Sequence, residues 1–145
     1  MSRPLVVDAS VAVRFVVKGP GAVEARRVLR EHSRRSLEIH APALQRTEVA
    51  SALWKYQRAG QLNRAQTEAA YDRYLHASVH YHGEAWLDRV ALALGSVHDR
   101  SVYDSLYLAL STELGCELLT ADRRLFNAVG SSFPQIRLLK SDSSG

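Results

Sequence analysis

The chain has 145 residues, 46% of them apolar and 23% charged, with a net charge of +4 and an isoelectric point near 9.5. That length suits one domain with a sizeable core, and a single cysteine, Cys116, excludes a disulfide framework and a Cys/His zinc knuckle. No stretch approaches the roughly 18 continuous apolar residues of a membrane span, and Asp8 interrupts the first apolar run before it reaches secretory length, so a cytoplasmic chain in a reducing compartment is expected.

In chain order, Leu5-Val6-Val7 is a short β-branched run that predicts a buried strand ending at Asp8. A helix is expected over residues 9–17, broken by Gly19-Pro20-Gly21. Helical periodicity returns over residues 22–34, with Val23, Val28 and Leu29 facing inward and Arg26, Arg27, Arg30 and Arg34 outward. Leu37-Glu38-Ile39-His40 alternates like a strand, and Ala41-Pro42 leads into a long helix over 43–59, stopped by Gly60. Asn63 is placed to cap a helix over 64–77, residues 79–82 read as an extended link, and a helix over 84–94 precedes a loop over 95–100. Ser101 opens a helix to Leu114, stopped by Gly115. Residues 117–120 form a strand, Asp122 starts a short helix to Val129, 136–139 form a last strand, and 141–145 are a polar tail. Short apolar strands alternating with helices predict an α/β fold with a mainly parallel central sheet, in one domain over residues 1–140.

In such sheets ligands bind beyond the carboxyl ends of the strands. Asp8 and Asp122 both follow strands and reach the same edge if those strands are parallel. Asp104 lies three residues after Ser101, at capping-box spacing and in the first turn of a helix, where the macrodipole favours an ionised acid. Glu48 lies early in the 43–59 helix. Four acids far apart in sequence can thus converge, and such a cluster needs protonation, a basic partner or a cation. Magnesium, with its preference for oxygen ligands, suits it best, and a bound ion would support metal-assisted phosphodiester cleavage. The bland reading of each acid is a helix cap or a solvated surface group.

Taken in order, Val6-Val7-Asp8-Ala9-Ser10, Thr47-Glu48-Val49-Ala50, Tyr103-Asp104-Ser105-Leu106-Tyr107-Leu108-Ala109-Leu110 and Leu119-Thr120-Ala121-Asp122 resemble the four acidic motifs of PIN-domain ribonucleases, over essentially the whole chain. The compact length is most similar to the VapC-type toxins of bacterial toxin–antitoxin pairs. The resemblance implies a three-layer fold and an endoribonuclease that hydrolyses RNA phosphodiesters through a metal-activated water. It makes Asp8, Glu48, Asp104 and Asp122 the Mg2+ or Mn2+ site, with Asp8 and Asp104 as direct ligands. It places Ser10 and Thr120 beside the acids, where they orient carboxylate or water. It also implies a cognate antitoxin, a homodimer and inhibition of growth. Ser105 departs from the alanine common at that position.

Other residues carry both readings. Arg123 and Arg124 follow a site acid and are the best candidates for phosphate contact, while Arg26, Arg27, Arg30, Arg34 and Arg35 read first as a solvated face. His76 and His80 have the i, i+4 spacing of a zinc pair but no third ligand, so packing or surface is the simpler reading. Asp72 and Asp88 read as surface and His98 as a loop residue. Asp99 is a possible supplement to the site. Trp54, Tyr56, Trp86 and Tyr107 read as core, with Leu53 and Trp54 alternatively lining a groove for a partner helix. Cys116 reads as a small buried residue. A phosphoacceptor domain lacks its lysine after a late strand, and a haloacid-dehalogenase pattern has Ser10 where a second aspartate is required. A DNA-directed nuclease and a non-catalytic RNA- or partner-binding module remain as alternatives.

Overall fold

The computed structural model describes residues 2–141, so the predicted tail lies outside the described residues apart from Ser141. Five strands form one sheet in the order β3-β2-β1-β4-β5, every pairing parallel: β1 (Arg3–Val7), β2 (Leu37–Pro42), β3 (His80–His82), β4 (Glu117–Thr120) and β5 (Ile136–Leu138). Leu5, Val6 and Val7 are buried, as a continuous apolar run requires of a central strand covered on both faces. The chain leaves β1 toward β2 on one side and returns through β4 on the other. The strand order therefore reverses beside β1, at the carboxyl ends of β1 and β4.

Among the described residues seven α-helices flank the sheet: α1 (Ala9–Ala12), α2 (Ala22–Ser33), α3 (Gln45–Arg58), α4 (Arg64–Leu75), α5 (Ala85–His98), α6 (Val102–Leu114) and α7 (Arg123–Val129). Helix α6 packs on β1, β2 and β4 and pairs with α5, while α3 pairs with α4. The Asn63 cap forms with a reciprocal bond: its Oδ1 accepts from Gln66 N at 2.8 Å and Gln66 Oε1 accepts from Asn63 N at 2.9 Å. No helix among the described residues is long and apolar enough to cross a membrane.

Several local expectations are corrected. The helix over 9–17 is a single α-turn, Ala9–Ala12, tightened into a 3-10 turn at Val13–Phe15. The link over 79–82 is the edge strand β3, paired with β2. His80 therefore lies on a strand while His76 caps the end of α4, and the helical pairing of the two does not exist. The loop over 95–100 is mostly helix. Gly95 serves close packing rather than a break, because a Cβ there would stand 2.7 Å from the Arg100 carbonyl oxygen. Asp99, in the left-handed region at φ 53°, ends α5 instead. Val23 is 67% exposed, and Trp54 and Trp86 are 52% and 45% exposed rather than core. Cys116 is half-buried.

Ser105 is completely buried, and its hydroxyl is one of two buried side-chain polar atoms without a hydrogen-bond partner among the described residues. An unpaired buried hydroxyl costs stability that an apolar side chain does not. Ser105→Ala is expected to raise the free energy of unfolding by about 1 kcal/mol in urea denaturation; an equal loss would show that the hydroxyl is bonded in solution.

Candidate functional site

Asp8 leaves the carboxyl end of β1 and is the N-cap of α1, its Oδ1 accepting from Val11 N at 3.2 Å. Ser10 Oγ donates to Oδ1 at 2.5 Å and Thr120 Oγ1 donates to Oδ2. Each hydroxyl also accepts a backbone N–H from the turn after β4: Ser10 Oγ from Ala121 at 2.9 Å and Thr120 Oγ1 from Asp122 at 3.0 Å. The two hydroxyls thus tie one carboxylate to the turn that carries Asp122, across the point where the strand order reverses. Asp8 is only 6% exposed. Burial lifts its pKa from 3.8 to about 6, against the pull of the Ser10, Thr120 and Val11 bonds, and the charge of Asp122 pushes the same way as burial.

Glu48 lies in the first turn of α3. Burial raises its pKa, and the charges of Asp8 and Asp104 raise it further, while a bond from Tyr107 Oη to Oε1 at 2.6 Å opposes both. Asp104 sits in the first turn of α6, where its N–H donates to Ser101 Oγ at 3.1 Å. Its carboxylate does not return to the cap but faces Arg100, with N···O 3.6 Å. Asp122 caps α7 through Oδ1, accepting from Arg124 N at 2.9 Å and Leu125 N at 3.3 Å, and is exposed. All four acids therefore reach one edge of the sheet, with Asp8, Glu48 and Asp104 as electrostatic neighbours and Asp122 beside Asp8.

Of the remaining candidates, Arg123 and Arg124 open α7 with exposed side chains. Asp72, Asp88 and Asp99 are exposed, and His98 packs edge-on against Phe133 at 4.9 Å.

Three contributors escaped the sequence reading. Tyr107 is buried but spends its hydroxyl on Glu48, and Arg100 faces Asp104. Gln45 is fully buried, donating from Nε2 to the Val7 carbonyl at 2.8 Å and accepting from Tyr74 Oη at 2.7 Å. The available signal was a polar residue on the inward stripe of α3, in line with the buried Val49 and Leu53.

The donor set is entirely oxygen: carboxylates and hydroxyls, with one arginine beside Asp104. That chemistry fits a hard divalent cation. Among the described residues no three His, Cys, Asp or Glu side chains converge closely enough to hold an ion unaided.

A family model described as the PIN domain matches residues 5–131. Ribonuclease VapC3 of Pyrobaculum aerophilum is 35% identical over 125 residues, covering 83% of this chain and 91% of its own. Ribonuclease VapC3 of Mycobacterium tuberculosis is 35% identical over 130 residues, 86% of each chain. Ribonuclease VapC1 of the same organism is 33% identical over 128 residues, 86% of this chain and 90% of its own. The crystal structure of PAE2754 from Pyrobaculum aerophilum has the same fold, with a TM-score of 0.71 at 21% identity over 96% of this chain and 92% of that one.

Asp8 binds its proton more tightly folded than unfolded, so the stability of the metal-free protein falls as pH rises from 3.8 through about 6. The loss is up to about 3 kcal/mol. Asp8→Asn keeps an acceptor for Val11 and carries no charge. In urea unfolding with EDTA it is expected to exceed wild type by about 1–3 kcal/mol at neutral pH and to match it near the bottom of that window. A variant less stable than wild type at neutral pH would contradict the assignment.

Proposed function

The chain belongs to the PIN-domain family, and from that membership we propose that it is a Mg2+- or Mn2+-dependent endoribonuclease of the VapC type, a toxin restrained by a cognate antitoxin. The observation that carries the reading is the buried carboxylate of Asp8, held by two hydroxyls beside three further acids at the reversal point of the sheet. A charge so placed is unfavourable alone and becomes favourable against a cation. Asp8 and Asp104 would hold the ion directly, with Glu48 and Asp122 binding a second ion or acting through water. When bound, the ion supplies positive charge against the attacked phosphate and lowers the pKa of water at the site.

The chain's own residues account for the rest. Ser10 and Thr120 fix the Asp8 carboxylate, so its oxygens keep one orientation as substrate arrives. The bond from Tyr107 favours the ionised form of Glu48, opposing the burial and neighbouring charges that raise its pKa. Arg100 partly neutralises Asp104. Arg123 and Arg124, exposed beside Asp122, are the proposed contacts to RNA phosphate, and the net charge of +4 favours approach of a polyanion.

Exposed Trp86, Leu92, Val97, Val102 and Tyr103 on α5 and the start of α6 support a homodimer, and exposed Trp54 on α3 supports docking of an antitoxin segment. The single half-buried thiol fits a cytoplasmic protein.

Antitoxin-free protein is expected to cut RNA at discrete sites with Mg2+ or Mn2+ and to stop in EDTA. Asp8→Asn and Asp104→Asn should each lower the rate by at least about 100-fold, roughly 2.7 kcal/mol of barrier. Measured on a panel of tRNA, rRNA and single-stranded DNA, equal cleavage of DNA would point to a different substrate class. Binding of RNA without cleavage, in folded protein loaded with metal, would point to a non-catalytic module.

A further inference from the structure

Away from the acids, the densest group of ionisable side chains lies where β2 meets the edge strand β3. The parallel register pairs His40 with His80 and Pro42 with His82. By the two-residue period of strands, Glu38 and His40 on β2 share a face with His80 and His82 on β3. His40 Nδ1 stands 2.9 Å from His82 Nε2, and His40 Nε2 stands 3.3 Å from Glu38 Oε1. His80 stacks on His40 with ring centroids 4.9 Å apart, and His32 of α2 meets His80 edge-on at 6.0 Å. Ser2 Oγ donates to the other Glu38 oxygen at 3.1 Å.

Two ring nitrogens this close are either a donor and an acceptor or two lone pairs addressed to one cation. Glu38 bears on that choice. A carboxylate that accepts from Nε2–H fixes the His40 tautomer with its lone pair on Nδ1, the atom that faces His82. A carboxylate bonded to one imidazole nitrogen, leaving the lone pair of the other free, is the arrangement that supports a metal-bound histidine. Burial, with His80 and His82 nearby, holds the His40 pKa below its ordinary value, so the ring is neutral and able to ligate near pH 7. His40 and His82 are half-buried and His80 is exposed; a cavity of about 530 Å³ lined in part by Ser2, His32, Glu38, His76 and His80, but by neither His40 nor His82, opens beside them.

We propose that His40 and His82 form a chelating site for a borderline divalent transition ion such as Zn2+, with Glu38 orienting His40 and water or His80 filling the remaining positions. Imidazole pairs select zinc, copper, nickel and cobalt over magnesium, so this site and the oxygen-lined acid cluster differ in the ion each takes. Since no three such side chains among the described residues already converge on one point, the affinity is that of a two-histidine chelate. The ion would clamp a three-residue edge strand to β2. The His82 carbonyl accepts from Ala43 N at 2.7 Å, just before α3, so the clamp adjoins the helix that carries Glu48.

The test is calorimetric titration of Zn2+ into metal-stripped, tag-free full-length protein, with excess Mg2+ present. Binding of one equivalent is expected, weakening as pH falls through the histidine range. His82→Ala and His40→Gln should each lower the affinity by at least about tenfold, and Glu38→Gln by about tenfold. Asp104→Asn should leave it unchanged. Long-range 1H–15N spectra of the wild type report the same atoms without any substitution: His40 Nδ1 and His82 Nε2 should shift together as zinc is added. Absence of binding would overturn the proposal. So would loss of binding in Asp104→Asn rather than in the histidine variants, or spectra in which neither nitrogen moves, which would leave the pair as an imidazole hydrogen bond alone.

Discussion

Taking a carboxylate out of water disfavours its charged form, and this protein does so at the end of its central strand. The last three residues of β1, Leu5 to Val7, are buried on both faces because they are continuously apolar, so the first side chain after the strand emerges close to the interior. That side chain is Asp8. The Ser10 and Thr120 hydroxyls that receive it are themselves fixed by the N–H groups of residues 121 and 122. The same contacts that orient the carboxylate therefore set the position of Asp122 and join the two halves of the sheet at their carboxyl ends.

The other acids are compensated unevenly. Asp104 has an arginine beside it, Asp122 is exposed and spends an oxygen capping α7, and Glu48 has a tyrosine hydroxyl. Asp8 has only neutral donors, and its pKa rises furthest toward neutrality among the carboxyl groups with resolved shifts, to about 6. A cation entering from solvent would meet graded acids, with Asp8, the most buried, deepest. On the proposed function the basic exterior and acidic centre are compatible, because Arg123 and Arg124 are exposed outside the acid cluster and would meet a nucleic-acid backbone there.

The alternation of short apolar runs and helices made the parallel sheet legible, and the placement of Asp8 and Asp122 after strands followed from it. What sequence could not supply was pairing. Residues 79–82 are too short and too polar, as His80-Tyr81-His82, to read as a strand without β2 beside them. Gly95 reads as a breaker unless the approach of the Arg100 carbonyl is known. Trp54 and Trp86 read as core although both are exposed, because helix periodicity alone does not say which face meets the sheet. The acids were legible as candidates, and family resemblance selected among them. Their supports were less so: a buried tyrosine such as Tyr107 looks like core whether its hydroxyl is idle or bonded to Glu48, and Gln45 shows itself only as a polar residue on an apolar stripe.

On the proposed function, the buried Asp8 carboxylate is disfavoured as a charge until a bound cation would relieve it. The direct measurement is a 13C-detected NMR titration of its carboxyl carbon, in metal-free protein and again with saturating Mg2+. A midpoint near 6 is expected without metal, falling toward or below the ordinary 3.8 when the ion is bound. A midpoint that lies at the ordinary value without metal and does not move with Mg2+ would contradict it.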